Sequence, residues 1–195
     1  MITGISALGQ GDSARRPGGH IPLGLWHLEG GAIGGALVAF AFWILLSPVR
    51  TLLPAAAVGW TVVLVAAFSI AMELGLVRAA GLDQGQVPPE WTTRFGRQKA
   101  YLLYGVSLGS GVTTHVEFAA TYTVFIAGAL LLDLPAMLAV GVTFGVARTW
   151  LVGPVGASPR AKARFVAWQS RGSHRFTLVS VAVSASLSVL AVIGA

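Results

Sequence analysis

HLEGGAIGGALVAFAFWILLSP, residues 27–48, decides the fold, because after His27 and Glu29 it runs to Pro48 without a charged residue. About 20 apolar residues in a helix cross the roughly 30 Å hydrocarbon core of a bilayer. Apolar runs of this kind lie near residues 30–48, 54–77, 100–132, 135–153 and 175–194. The sequence therefore predicts an all-α, polytopic transmembrane bundle that forms a single domain over residues 1–195.

The composition supports a membrane protein. Hydrophobic residues make up 55% of the chain, charged residues make up 10%, and the mean hydropathy is +0.76, whereas about a quarter of the residues in a soluble domain are charged. The absence of cysteine excludes disulfides, thiolate metal sites and iron–sulfur clusters. The net charge of +6 comes from basic segments between the apolar runs. Such segments are typical of cytoplasmic loops that contact anionic lipid, and no soluble domain is present to bind nucleic acid.

The third apolar run sets the number of spans, because 33 residues of helix would measure about 50 Å. Either the run crosses once and breaks around Gly105, Gly109 and Gly111, or it contains two spans and the protein has six. Five spans place only Arg50 on one face and eleven cations on the other: Arg15, Arg16, Arg78, Arg94, Arg97, Lys99, Arg160, Lys162, Arg164, Arg171 and Arg175. Six spans divide the same residues equally. The positive-inside rule favours five, with a cytoplasmic N-terminus and an external C-terminus; six stays open because inverted repeats can be balanced in charge.

The triplet His27-Leu28-Glu29 returns as His115-Val116-Glu117 where another apolar segment begins. Each triplet is followed by an apolar helix, a proline turn, a second apolar helix and a basic loop. This order predicts a duplicated hairpin, with one repeat unit at 27–99, a second at 115–175 and a last span at 175–194.

Ionisable side chains are costly at membrane depth, so the repeated triplets predict a functional site. Glu73 and Arg148 lie near the same end of the predicted bundle. The candidate binding residues for an ion or substrate are His27, Glu29, Glu73, His115, Glu117 and Arg148. Residues two apart in a regular helix diverge by about 200°, so a shared site requires a broken backbone, for which the candidates are Gly105, Gly109, Gly111 and Thr114. The alternatives are headgroup contacts for the charges and close helix packing for the glycines that follow the first triplet, from Gly30 to Gly35.

Three kinds of chemistry suit this set. A proton-coupled or cation transporter would use the carboxylates and imidazoles, a divalent metal could bind His27 and His115 with the acids, and a b-type haem could be held between the two histidines. A rival function is a non-catalytic subunit whose Gly-rich and Ser-rich helix faces pack against membrane partners or a second copy. Acid–base chemistry on lipid stays open, but no nucleophile motif predicts an enzyme.

The segment Tyr104-Gly-Val-Ser-Leu-Gly-Ser-Gly-Val-Thr-Thr-His-Val resembles the broken central helix of the CcdA/DsbD-type membrane carriers of the LysE-like superfamily. The resemblance covers about 15 residues closely and places Thr114-His115 at that family's Pro-Cys break. It implies a helix break in mid-protein with alternating access around it. The family's cysteines are missing here, so its thiol–disulfide chemistry cannot take place.

Overall fold

The computed structural model describes residues 23–77, 91–111, 120–152, 177–189 and 193, and all regular secondary structure in these ranges is helical. The helices are α1 (Leu23–Leu52), α2 (Ala55–Glu73), α3 (Trp91–Phe95), α4 (Arg97–Ser110), α5 (Ala120–Leu131), α6 (Leu134–Val152) and α7 (Thr177–Val189). The predicted all-α fold is therefore confirmed for this part of the chain. His115, Glu117, Thr114 and most of the two basic loops lie outside the described residues.

The first turn lies at Leu53–Pro54, after α1 has passed through Pro48 without ending. A proline inside a helix removes one backbone hydrogen bond. Two bonds still close the last turn of α1: the Thr51 Oγ1 donates to the Pro48 carbonyl at 3.0 Å, and the Leu53 N–H donates to the Val49 carbonyl at 3.0 Å. The helix ends before Pro54, because a residue that precedes a proline disfavours the α conformation.

The second turn, between α5 and α6, is as short as the sequence predicts. The Asp133 Oδ1 accepts a bond from the Ala136 N–H at 3.1 Å, which caps the start of α6. The Nη1 of Arg50 donates to the Leu132 carbonyl at 2.7 Å. The end of α1 and the α5–α6 turn therefore lie next to each other.

The third apolar run is not one uninterrupted helix in the described residues. Helix α4 ends at Ser110, and Gly111 follows it with a φ of 68°, a left-handed conformation that glycine adopts without steric cost. Gly105 and Gly109, where a break was also expected, lie inside α4. They do not interrupt the helix, and the absence of side chains there allows another helix to pack closely, as described below.

The chain divides into two units, each drawn from three separate parts of the sequence. In the described residues, the first unit contains 23–37, 91–111 and 141–152, and the second contains 38–77, 120–140 and 177–189. The duplication into 27–99 and 115–175 concerns the sequence and stays a prediction.

The second unit contains a small apolar core and an apolar outer face. Its core is formed by Val58, Val62, Ala127 and Leu130, against which Leu46, Val49, Ile126 and Leu187 pack. Trp60, Leu64 and Phe68, spaced four residues apart on α2, are 63%, 68% and 55% exposed. Large apolar side chains thus point outward along one stripe of the helix.

Two described helices are long and apolar enough to cross a membrane, Gly24–Leu52 and Ala55–Glu73, each with a hydropathy of 2.1 over its most apolar window. Shorter apolar helices occupy Ala120–Leu131, Leu134–Trp150 and Thr177–Val189. Few residues of the two long helices are buried: 17% and 28% over their most apolar stretches.

Candidate functional site

The first unit is organised around four glycines on two faces of α1. Gly30 and Gly34 face α4, where a Cβ atom would meet the carbonyl oxygens of Leu102 and Val106 respectively. Gly31 and Gly35 face α6, where a Cβ atom would meet the Thr149 side chain and the Gly141 carbonyl oxygen respectively. A second helix packs on each side of α1 because these positions carry no side chain.

Glycines on the facing helices complete these contacts. On α4, a Cβ at Gly105 would meet the carbonyl oxygen of His27, and one at Gly109 would meet that of Gly31. On α6, a Cβ at Gly145 would also meet the Gly31 carbonyl oxygen. Backbone therefore packs directly on backbone along both faces, and we call this arrangement the glycine contact.

His27 is a buried side chain beside the glycine contact, with 7% of its surface exposed. Its Nδ1 lies 3.3 Å from the Tyr101 carbonyl oxygen, and the two rings meet edge to face with centroids 6.4 Å apart. Because a carbonyl can only accept a hydrogen bond, Nδ1 carries the proton, and in the neutral ring Nε2 then keeps its lone pair. The imidazole is thereby oriented by the backbone of α4.

Glu29 does not join His27 in a common site, and the position of Arg148 in such a site stays a prediction. Helix α1 is regular at residues 27–29, so the two side chains of the triplet diverge by about 200°: His27 is buried and Glu29 is exposed. The break needed to bring them together is not present in α1. The guanidinium of Arg148 lies 5.8 Å from the centroid of the Phe144 ring, one turn earlier on α6.

The second unit holds a polar group that the sequence predicted only through Glu73. The Ser180 Oγ donates to the Glu73 Oε1 at 2.8 Å, and the hydroxyls of Ser69 and Thr123 are 2.6 Å apart. Ser184 is fully buried, and its Oγ has no hydrogen-bond partner among the described residues. We call these five residues the hydroxyl–carboxylate cluster.

The serines were not identified as site residues from the sequence, because serine is common in membrane helices. Their spacing, however, indicates a shared helix face. Ser180, Ser184 and Ser188 recur every four residues and so share one face of α7. Ser69 and Glu73 have the same spacing on α2. A repeat of this kind indicates a polar stripe, but only the packing of α2, α5 and α7 shows that the stripe is buried.

A metal or haem site receives no support from the described residues. Within residues 23–77, 91–111, 120–152 and 177–189, no three His, Asp or Glu side chains form a group that could hold a metal ion. The pairing of His27 with His115, and of Glu29 with Glu117, stays a prediction.

No family model, no curated protein and no solved structure matches this chain. The resemblance to the CcdA/DsbD-type carriers therefore stays a prediction.

Proposed function

We propose that this chain is a membrane protein of five spans that carries an ion or small solute across the bilayer. The observation that carries the proposal is the position of Glu73, a carboxylate bonded to Ser180 at the end of a long apolar helix. An ionisable group in such a segment is costly and typically marks a binding site or an ion pathway. The buried hydroxyls of the same cluster supply the polar surroundings that a carried ion needs.

The arrangement of apolar side chains supports a membrane location. A core helix in a soluble protein is mostly buried, but only 17% and 28% of the residues in the most apolar stretches of α1 and α2 are buried, and large side chains such as Leu45, Trp60 and Leu64 are exposed. Among the described residues, the largest fully buried side chains are Met137, Val62, Thr123, Thr149 and Ser184, so no aromatic ring is fully buried there. Small residues between helices and bulky apolar residues outside are typical of helices packed in lipid.

Two hydrogen bonds in the second unit favour five spans over six. The bond from Arg50 to Leu132 brings the α1–α2 and α5–α6 turns to the same end of the unit. The bond from Ser180 to Glu73 brings the start of α7 to the end of α2. Six spans would separate the partners of each bond by the membrane thickness, whereas five place them on one side. Arg50, the one cation expected outside, thus has a structural role.

The rival function, a subunit that packs on membrane partners, needs its Gly-rich and Ser-rich faces to be available. The glycines at 30, 31, 34 and 35 instead pack against α4 and α6 of the same chain. Ser180 and Ser184 are buried on the inner face of α7. Because both faces are used internally, the carrier is the better-supported proposal.

The topology can be tested with single cysteines, since the natural chain has none. We expect Thr51→Cys and Pro135→Cys, both at exposed positions, to react with a membrane-impermeant maleimide from the outside of cells. Arg94→Cys, also at an exposed position, should react only after the cells are opened. The cysteine-free chain is the background control. Labelling of Pro135→Cys only in opened cells, together with Arg94→Cys, would contradict five spans.

The carrier function can be tested in proteoliposomes loaded with sodium- and pH-sensitive dyes. We expect Glu73→Gln to lower the flux at least about tenfold, equivalent to about 1.4 kcal/mol, because the variant removes the charge that faces the Ser180 hydroxyl. Glu29→Gln is the matched control, since it makes the same change at an exposed position, and it should stay within about twofold of the wild type. Equal flux in the wild type and Glu73→Gln would reject the proposed role of the cluster.

A further inference from the structure

We infer that the hydroxyl–carboxylate cluster binds a monovalent alkali cation, an inference that rests on the proposed carrier function and specifies what the site holds. The cluster combines the Glu73 carboxylate with hydroxyls from three helices: Ser69 on α2, Thr123 on α5, and Ser180 and Ser184 on α7. All five residues belong to the second unit.

The direction of α7 places Ser184 at the level of Ser69. Ser180 bonds to Glu73 at the end of α2, while Leu187 packs on the core that contains Val58 and Val62. The two helices are therefore antiparallel. Four residues of helix advance about 6 Å. Ser184 lies four residues after Ser180 on α7, and Ser69 lies four residues before Glu73 on α2, so the two serines lie at the same level. The apolar core then closes this end of the cluster.

The Ser184 hydroxyl is the second, independent sign of a ligand. A serine inside a helix commonly donates to the carbonyl four residues earlier, as Ser188 does to Ser184 at 2.9 Å and Thr61 does to Ala57 at 2.8 Å. Ser184 makes no such bond, although it is 0% exposed. An unpaired buried hydroxyl is unfavourable, and coordination of a cation by its oxygen would reduce that cost.

The chemistry of the cluster selects the class of ligand. Carboxylate and hydroxyl groups offer only oxygen atoms, which hard cations prefer over soft transition metals. Among the described residues the cluster contains one carboxylate, and a monovalent cation matches its single charge. A divalent cation carries one more positive charge than this carboxylate offsets, and uncompensated charge in an apolar bundle is costly.

The test uses the purified full-length protein in detergent and follows thermal unfolding as sodium chloride replaces choline chloride at constant ionic strength. We expect sodium to raise the melting temperature of the wild type. Ser184→Ala should need at least about tenfold more sodium for half of the shift, while Ser188→Ala, whose hydroxyl bonds within its own helix, should match the wild type within about twofold. Without sodium, Ser184→Ala should be as stable as the wild type, because alanine removes a buried unpaired group.

Three outcomes would overturn the inference: equal effects of sodium and choline on the wild type, the same sodium dependence in Ser184→Ala, or a stronger shift with magnesium chloride than with sodium chloride. The flux assay separates this result from the carrier proposal. Sodium binding without flux would reject the carrier and keep the site. Solute flux in a protein that sodium does not stabilise would reject the site and keep the carrier.

Discussion

Gly35→Ala is expected to destabilise the protein, whereas Gly24→Ala in the same helix is expected to stabilise it slightly. A Cβ at position 35 would meet the carbonyl oxygen of Gly141 and lie 2.8 Å from its carbonyl carbon and 3.0 Å from the nitrogen of Gly145. These are backbone atoms of α6, so they cannot rotate away. Overpacking of this kind costs about 1–3 kcal/mol. At Gly24, nothing lies within 4 Å of the added Cβ, and alanine gains up to about 1 kcal/mol of helix propensity.

The two variants change the same residue type on one helix. Opposite changes in stability would therefore be due to the glycine contact and not to the replacement of glycine by alanine itself. Thermal unfolding in detergent measures both, with the melting temperature expected to fall for Gly35→Ala and to stay or rise for Gly24→Ala. Gly35→Leu should enlarge the effect until no folded monomer elutes in size-exclusion chromatography. If Gly35→Ala were as stable as Gly24→Ala, α1 and α6 would not pack backbone to backbone.

The sequence predicted the features of the fold that depend on local chemistry. Long apolar runs form α1 and α2, and Asp133 ends one helix and caps the next. The role of Gly105 and Gly109 could not be read in the same way, because a glycine in a membrane helix can either interrupt it or admit another helix. The backbone of α1 packs against Gly105 and Gly109, which shows that they admit a neighbouring helix. This contact exists only in the folded chain and cannot be read from the sequence.

The candidate site was predictable in part, for a related reason. Glu73 is visible in the sequence because it is an isolated charge at the end of an apolar run. Ser69, Thr123 and Ser184 carry no charge, and their inward direction depends on how α2, α5 and α7 pack. The separation of His27 from Glu29 follows from helical geometry once α1 is known to be unbroken.

His27→Ala is expected to lower the free energy of unfolding by about 2–4 kcal/mol, the range for removing a large buried side chain together with its hydrogen bond. The variant would leave a cavity beside the Tyr101 ring and remove the donor to the Tyr101 carbonyl. His27→Asn should lose about half as much, because the amide nitrogen can donate in place of Nδ1. Glu29→Ala is the control two residues along, where an exposed side chain should change stability by no more than about 0.5 kcal/mol.

Measured together, stability and flux separate two roles of the imidazole. If His27 only ties α1 to α4, His27→Asn keeps both the fold and the flux, since asparagine replaces the bond to Tyr101. If the Nε2 lone pair also takes part in transport, His27→Asn keeps most of the stability but loses the flux, because asparagine presents no basic nitrogen. Equal unfolding free energies for His27→Ala and Glu29→Ala would contradict both roles, because a buried, bonded ring would then contribute no more than an exposed carboxylate.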